Sequence, residues 1–251
     1  MEAREQPVRV HFLGSGDSVS ARGRHQASYL VQAPAATFLL DCGAMTLASM
    51  KRDGIDPAAV DYVLLSHLHG DHFAGLPFFF IEYTYERPRS RPLVIVGPPH
   101  TAARVREIFS AAYKDLATRP LPFPLDFLEV EPDSEHTLGE VSVRPFRVPH
   151  QETEISLGLL VETGGRRILY SGDTGWTEDL VDRSQGVDLF ICECCYFETR
   201  RPFHLDYPRL AENRARFCAK RMVLTHLGAE VHARRDEIDM ELADDGLVVV
   251  L

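Results

Sequence analysis

The sequence predicts an α+β domain in which two mixed β-sheets pack face to face and helices cover both outer faces. Two observations support this fold class. Short β-rich runs recur in both halves of the chain, and segments with helical periodicity accompany them in each half. A proline-rich connector, residues 119–124, separates the halves. Because the chain has 251 residues, 45% of them hydrophobic, it is long enough to bury such a core in a single domain spanning residues 1–251.

The first half contains five β-rich runs and two expected helices. One helix is expected to start near residue 73, after a cluster of polar residues. Another is expected after the fifth run, because Val105, Ile108, Phe109 and Ala112 repeat at helical spacing. The predicted strands are residues 8–13, 28–32, 37–41, 62–65 and 93–96.

The second half repeats this organisation with more strands. Asp206 is typical of a helix N-cap, with Pro208 in the first turn. Apolar residues from Leu210 to Cys218 would form one face of that helix, and a further short helix is expected at residues 234–242. The predicted strands are residues 125–130, 141–148, 155–161, 167–170, 189–194, 222–224 and 247–250.

Composition excludes several classes of protein. The formal net charge of −10 opposes a broad grip on long nucleic acid, which needs many basic residues. No apolar run approaches the roughly 18 residues of a membrane span, so no membrane contact is expected. Residues 1–6 lack the apolar core of a signal peptide. Five cysteines, an odd number, suit a reducing compartment, and we expect a cytoplasmic protein. The run Cys192, Cys194, Cys195 could bind a metal, but it continues the apolar run Leu189-Phe190-Ile191 and is interpreted as buried strand.

The segment His67-Leu68-His69-Gly70-Asp71-His72 carries the strongest functional signal. Four side chains that can bind a metal lie within six positions, directly after an apolar strand. A strand places alternate side chains on one side, so His67 and His69 can face one point. One ion cannot easily use all four ligands from so tight a turn, which indicates two neighbouring ions. Imidazole and carboxylate suit zinc, iron or manganese.

Three later residues extend this pattern, each at the end of a predicted strand. His150 is a plausible third ligand beside His67 and His69. Asp173 lies in Ser171-Gly172-Asp173-Thr174-Gly175, where the glycines permit a tight turn, and its two oxygens could bridge both ions. His226 would complete the second ion beside Asp71 and His72. Glu193, also at a strand end, could support the site, although an acid in such a position is usually structural.

The chain resembles the metallo-β-lactamase-fold hydrolases over nearly its full length. The matching segments are Leu39-Leu40-Asp41-Cys42-Gly43, the His67 to His72 motif, His150, Ser171-Gly172-Asp173-Thr174 and Leu224-Thr225-His226. The resemblance implies an αββα sandwich with a metal site between the sheets. It implies that His67, His69 and His150 hold one ion, that Asp71, His72 and His226 hold the other, that Asp173 bridges them, and that Asp41 orients the histidines.

Within this family the sequence of the His67 to His72 motif looks most like that of the phosphodiesterase branch, which includes tRNA 3′-end processing endonucleases and small cyclic phosphodiesterases. The endonucleases carry a long arm that grips tRNA, in many members between the third histidine and the bridging Asp. Here only 22 residues separate His150 from Asp173. Their His-Ser-Thr motif appears here as His204-Leu205-Asp206. Both departures favour a small substrate.

We therefore expect a dinuclear hydrolase with two divalent ions, zinc first and manganese or iron as alternatives. Two ions about 3.5–4 Å apart can lower the pKa of a shared water from 15.7 toward roughly 7. The bridging hydroxide would attack a phosphodiester, and Asp71 could accept a proton. His204, in a loop outside the ligand set, is the candidate general acid. Candidate substrate contacts are Arg200, Arg201, Arg22, Arg24 and His25, since arginine suits phosphate oxygens.

Other functions remain open at this point. The same hydroxide could attack the carbonyl of a lactone, thioester or β-lactam. A tRNA 3′-end endonuclease, a non-enzymatic binding protein on this fold and a redox di-iron protein are further alternatives, although an intact ligand set is costly to keep without a function. The expected partner is a small phosphodiester, and a homodimer is possible.

Overall fold

The computed structural model describes residues 7–251 and contains two seven-stranded mixed sheets. Residues 1–6, on which the expectation that a signal peptide is absent is based, lie outside the described residues. Among the helices of residues 7–251, none has the length and apolar character needed to cross a membrane. In chain order the strands are β1 (Arg9–Gly14), β2 (Ser28–Gln32), β3 (Thr37–Leu40), β4 (Tyr62–Leu64), β5 (Leu93–Gly97), β6 (Leu125–Glu129), β7 (His136–Leu138), β8 (Val141–Arg147), β9 (Leu157–Thr163), β10 (Arg166–Tyr170), β11 (Leu189–Glu193), β12 (Met222–Thr225), β13 (Glu241–Leu242) and β14 (Val248–Val250).

The two sheets are built alike. The first has the order β14-β1-β2-β3-β4-β5-β6, and the second has the order β13-β12-β11-β10-β9-β8-β7. In the first sheet β14, β1, β2 and β3 pair antiparallel, and β3 to β6 pair parallel. In the second sheet β7 to β10 pair antiparallel, and β10 to β13 pair parallel. The carboxyl ends of parallel strands in such sheets are where ligand sites usually form.

Helices follow the strands of both sheets. Short turns of 3₁₀ helix occur at Ala21–Gly23, Pro57–Ala59, Arg214–Arg216 and Arg235–Glu237, and a π turn at Glu82–Glu86. The helices are α1 (Thr46–Arg52), α2 (Gly70–Phe73), α3 (Leu76–Ile81), α4 (Thr101–Ala112), α5 (Lys114–Ala117), α6 (Asp179–Arg183), α7 (Tyr207–Asn213) and α8 (Ala229–Ala233).

The apolar core has three layers. Tyr29 and Ile191 belong to the cluster that draws on both sheets. Leu30 joins the cluster that contains residues of α3 and α4, and Phe190 joins the cluster that contains residues of α7. Because successive side chains of a strand point to opposite faces, each central strand supplies two layers. The expected two-sheet sandwich with outer helices is confirmed.

Two predicted helices differ from the structure. The helix predicted at residues 234–242 is wrong: α8 lies earlier, a 3₁₀ turn follows, and β13 ends the segment by pairing with β12. The helix capped by Asp206 does form, and its carboxylate accepts from Arg209 N at 3.0 Å. It ends at Asn213, however, so Cys218 lies beyond it. The helix predicted at residues 234–242 fails because β13 pairs with β12 over two residues, and the apolar pattern of the sequence does not reveal so short a pairing.

Candidate metal centre

The seven predicted ligands lie together at the carboxyl ends of strands from both sheets. His67 and His69 follow β4, and α2 begins at Gly70, which places Asp71 and His72 in its first turn. In the second sheet the other three ligands follow β8, β10 and β12: they are His150, Asp173 and His226.

His67, His69 and His150 form the first group. One potential ligand atom from each lies within 4.8 Å of the others, and His69 Nδ1 is 2.9 Å from His150 Nε2. In His67 and His150 the second ring nitrogen is held from outside the group. His150 Nδ1 donates to the Phe203 carbonyl at 3.0 Å. His67 Nδ1 lies 3.0 Å from Ser66 Oγ. Fixing one nitrogen in this way selects the other as the ligand atom.

Asp71, His72, Asp173 and His226 form the second group, again with ligand atoms within 4.8 Å of one another. Asp173 Oδ2 lies 3.3 Å from Nε2 of both His72 and His226, and 3.9 Å from Nε2 of His150. Asp173 therefore stands between the two groups, where the sequence places a bridging carboxylate.

Several of these atoms are buried without a hydrogen bond. Nε2 of His67, Nε2 of His72 and Oδ1 of Asp173 have no hydrogen-bond partner among residues 7–251. A buried polar atom without a partner is costly, and a cation would satisfy all three. The donor set of imidazoles and carboxylates therefore fits divalent metal ions.

Asp41 supports the histidines from beneath. It is fully buried and follows β3 with a left-handed backbone (φ 57°). Its carboxylate accepts from Ser66 N at 2.7 Å, Ser66 Oγ at 2.7 Å, His72 Nδ1 at 2.7 Å and Tyr170 OH at 2.6 Å. Asp41 thus contacts His72 directly and His67 through Ser66, which is the contact pattern expected of the predicted supporting acid.

Burial and charge divide the ligands into two electrostatic types. Burial alone would raise the pKa of Asp173, but His226 and His72 outweigh it and hold that pKa well below its usual value. Burial likewise opposes protonation of His72 and His226, yet the neighbouring carboxylates raise the pKa of both. For His67 and His150 burial dominates and lowers the pKa, that of His150 to about 4. The first group is therefore neutral imidazole, and the second is a charged cluster.

Glu193 lies at the candidate site, where the sequence left open a supporting role beside a purely structural one. It ends β11 and is 1% exposed. Its carboxylate accepts from Thr174 N at 2.5 Å and lies 3.1 Å from His204 Nδ1. Burial would lower the pKa of His204, but the bond to Glu193 and its charge raise it. The alternation of β11 carried the signal, because Glu193 shares a strand face with Ile191, which faces the other sheet.

A cavity of about 500 Å³ opens over the ligands, and His204 lies in its wall. None of the predicted substrate contacts Arg22, Arg24, His25, Arg200 and Arg201 lines it. Arg24 forms an ion pair with Asp244, and His25 Nδ1 lies 2.6 Å from Ser49 Oγ. The expected substrate contact is thus not supported for Arg24 and His25, which hold their loop in place. For Arg22, Arg200 and Arg201, which are exposed, it stays a prediction.

The cysteine run divides between core and cavity. Cys192 and Cys194 are buried in the cluster that contains residues of α7, and of the two only Cys192 lies in strand β11. Cys195 is also buried, but like Cys194 it lies beyond the strand, and it lines the cavity beside His204 and His226. The strand ends at Glu193, and the chain then leaves the alternation that the prediction assumed.

The fold is that of the metallo-β-lactamase-fold proteins, and the site gathers histidine and aspartate side chains that could hold metal ions. The structure is similar to the metallo-β-lactamase fold protein YhfI from Bacillus subtilis, with a TM-score of 0.79 and 21% identity over 98% of this chain and 100% of that one. It is also similar to the short form of human tRNase Z, with a TM-score of 0.77 and 22% identity over 96% and 98%.

The chain belongs to the family whose model is described as anti-Pycsar protein Apyc1, which matches residues 8–248. A relative, the uncharacterized protein Rv1339 of Mycobacterium tuberculosis, is 32% identical over 231 residues, which cover 88% of this chain and 81% of the relative.

Proposed function

We propose that this chain is a dinuclear metal-dependent phosphodiesterase that hydrolyses a small or cyclic phosphodiester. The observation that carries the proposal is the convergence of seven ligand side chains in two groups, with Asp173 between them, beneath an open cavity. Zinc suits these donors best, with manganese or iron as alternatives. When bound, two such ions would neutralise phosphodiester charge and lower the pKa of water toward neutrality.

The protein's own side chains divide the proton transfers. Asp71 lines the cavity, and its pKa stays below the usual range because His72 and His226 outweigh the effect of burial. The lowered pKa keeps Asp71 ionised but makes it a weak base, so its candidate role as acceptor of the proton from the attacking water rests on its place in the cavity. His204 Nδ1 is held by Glu193, which leaves Nε2 to donate a proton to the leaving oxygen. General acid help of this kind is worth roughly 10²–10⁴-fold.

A small substrate fits the cavity and the chain better than tRNA. The cavity volume of about 500 Å³ suits a ligand of small-molecule size. The segment between His150 and Asp173 is filled by β9 and β10 and leaves no room for a long arm. Human tRNase Z, a structural neighbour, is named for an RNA substrate, but the net charge of −10 here opposes a long polyanion.

Turnover of matched substrate panels tests the proposal. Purified protein loaded with zinc or manganese is assayed on bis(p-nitrophenyl) phosphate and cyclic phosphodiesters, and in parallel on nitrocefin and lactones. We expect phosphodiester hydrolysis that Asp173→Ala abolishes. Asp126→Ala is the matched control, because Asp126 is an exposed acid on β6 away from the cavity.

Hydrolysis of the lactones or nitrocefin without hydrolysis of any phosphodiester would contradict the proposal and identify the protein as an acyl hydrolase. Full activity in Asp173→Ala would overturn the site assignment. Elemental analysis of the same preparation identifies the metal. A homodimer and a cytoplasmic location stay predictions, and light scattering on the purified protein tests the first.

A further inference from the structure

We propose that Cys195, His204 and His226 form an additional metal position that holds a soft, thiophilic ion such as cadmium or excess zinc. An ion there would be inhibitory, and that consequence rests on the proposed phosphodiesterase function. The binding itself does not depend on that function.

The geometry of the trio supports this position. The Sγ of Cys195 and one ring nitrogen each of His204 and His226 lie within 4.8 Å of one another. The two imidazole rings are stacked, with centroids 5.8 Å apart and planes at 11°. Cys195 is 6% exposed and lines the cavity. Gly228 packs against its carbonyl so closely that a Cβ there would lie 2.2 Å from the oxygen, which fixes the place of Cys195 in the wall.

A second observation comes from the unused nitrogen of His226. Its Nε2 lies 3.3 Å from Asp173 and 3.4 Å from Asp71, within the second ligand group. Its Nδ1 is buried and has no hydrogen-bond partner of normal geometry within the described part of the chain, although the Cys195 thiol lies close enough to His226 to interact with it. Ligating imidazoles usually donate their other nitrogen to a carboxylate or carbonyl, so this orphaned nitrogen is unexpected for a residue that serves only one ion.

The chemistry of the two positions differs. In the second ligand group His226 is accompanied by His72 and by two carboxylates, which also accept hard ions such as manganese. In the Cys195 position it is accompanied by sulfur and a second imidazole, a donor set that suits zinc and softer ions. As a metal–sulfur bond forms there, the thiol proton leaves to solvent. Manganese should therefore ignore this position, and cadmium should prefer it.

Occupation of the Cys195 position would stop turnover for two reasons. His204 would give its Nε2 to the ion and could no longer donate a proton. His226 would be drawn toward the thiolate, which competes with its place beside Asp71 and Asp173. Soft ions would thus inhibit by engaging residues that the proposed reaction needs, while occupying no substrate subsite.

Cadmium binding tests the proposal directly. Manganese-loaded protein is titrated with Cd²⁺ while the ultraviolet thiolate-to-cadmium charge-transfer band is recorded. We expect a saturable band in the unaltered protein that both Cys195→Ser and Cys195→Ala lose. Cys218→Ser should keep it, because Cys218 is an exposed thiol outside the cavity. Circular dichroism shows that each variant is folded.

Inhibition gives a second readout. Relative to its own uninhibited rate on bis(p-nitrophenyl) phosphate, Cys195→Ser should need about 10-fold or more cadmium for half inhibition, the size expected when a ligand is lost. A missing band in the unaltered protein, or a band that survives both Cys195 substitutions, would overturn the proposal. If the protein proves to have no phosphodiesterase activity, the band still decides the binding site, so the two failures are distinguishable.

Discussion

Two buried carboxylates, Asp41 and Glu193, position the reactive histidines. Neither belongs to the predicted ligand set, and each is 1% exposed or less. Each accepts from a backbone N–H as well as lying within hydrogen-bond distance of a histidine Nδ1. A buried charge of this kind is tolerated only when it is fully hydrogen-bonded, and the same bonds hold the imidazole in one orientation. Orientation of His72 and His204 is therefore specified from the interior of the protein.

The role of His204 can be separated from metal binding by the choice of leaving group. His204→Ala should slow phosphodiesters with poor alkoxide leaving groups by roughly 10²–10⁴-fold. It should change bis(p-nitrophenyl) phosphate far less, because p-nitrophenolate departs without a proton. The ratio of kcat values on the two esters checks this. Equal losses on both would remove the general-acid role.

The pH profile of Glu193→Gln is the companion measurement. Glu193 raises the pKa of His204, against the effect of burial. A general acid acts while it is protonated, so activity falls as the pH rises through its pKa. Loss of the Glu193 charge lowers that pKa, and the falling limb should move to lower pH. An unmoved limb would show that Glu193 does not act through His204.

At the scale of elements, two acids tie loops of the cavity wall to the frame. Asp245, before β14, accepts from Ser15 N at 2.9 Å, Ser15 Oγ at 2.7 Å and His25 N at 2.9 Å. Glu230, in the first turn of α8, accepts from Phe197 N, Glu198 N and Thr199 N between 2.8 and 3.1 Å. The second contact holds the segment that leads from β11 to His204.

Removal of the Glu230 contact should loosen the cavity wall. In Glu230→Ala we expect KM to rise several-fold with a smaller loss of kcat, because the ligands are untouched. Hydrogen bonds from Thr199 lower the pKa of Glu230 from 4.5 to about 2. The stabilisation that the Glu230 carboxylate gives to the cavity wall is therefore complete above pH 4.5 and is lost only as the pH falls toward 2. The defect should therefore be the same at pH 6 and pH 8. Glu237→Ala, an exposed acid nearby, is the control; an equal rise in KM there would contradict the assignment.

For the whole molecule, the sequence was sufficient to predict the architecture and to select the seven residues that the structure brings together. Both depend on local signals: alternation along strands, and a dense His/Asp motif at a strand end. The positions of Arg24 and His25 could not be predicted, because ion pairs and hydrogen bonds to distant residues decide where these side chains point. The burial of Cys194 and Cys195 was predicted, but their place beyond β11 was not, because the end of β11 is set by pairing with β12, which the sequence of β11 alone does not contain.

Chelation should lower the stability of the whole domain. At a metal concentration of 100 times Kd, binding contributes about 2.7 kcal/mol, which corresponds to a Tm change of about 5–10 °C for a chain of this size. Carboxylates raise the pKa of His72 and His226 in the metal-free protein, against the effect of burial, so an incoming ion must displace their protons. The Tm difference between loaded and chelated protein should therefore shrink as the pH falls. Differential scanning calorimetry at pH 8 and pH 6 measures it; a constant difference would contradict the proton competition.

Each proposed ion takes ligands from both halves of the sandwich. The first group joins His67 and His69 from the β4 side to His150 from the β8 side, and the second joins Asp71 and His72 to Asp173 and His226. The ions would therefore act as cross-links that clamp the open mouth of the sandwich, while apolar packing closes the rest. Metal loss would then first separate the strand ends that carry the ligands. Amide hydrogen exchange would accelerate at those strand ends before it did at the opposite end of the sandwich.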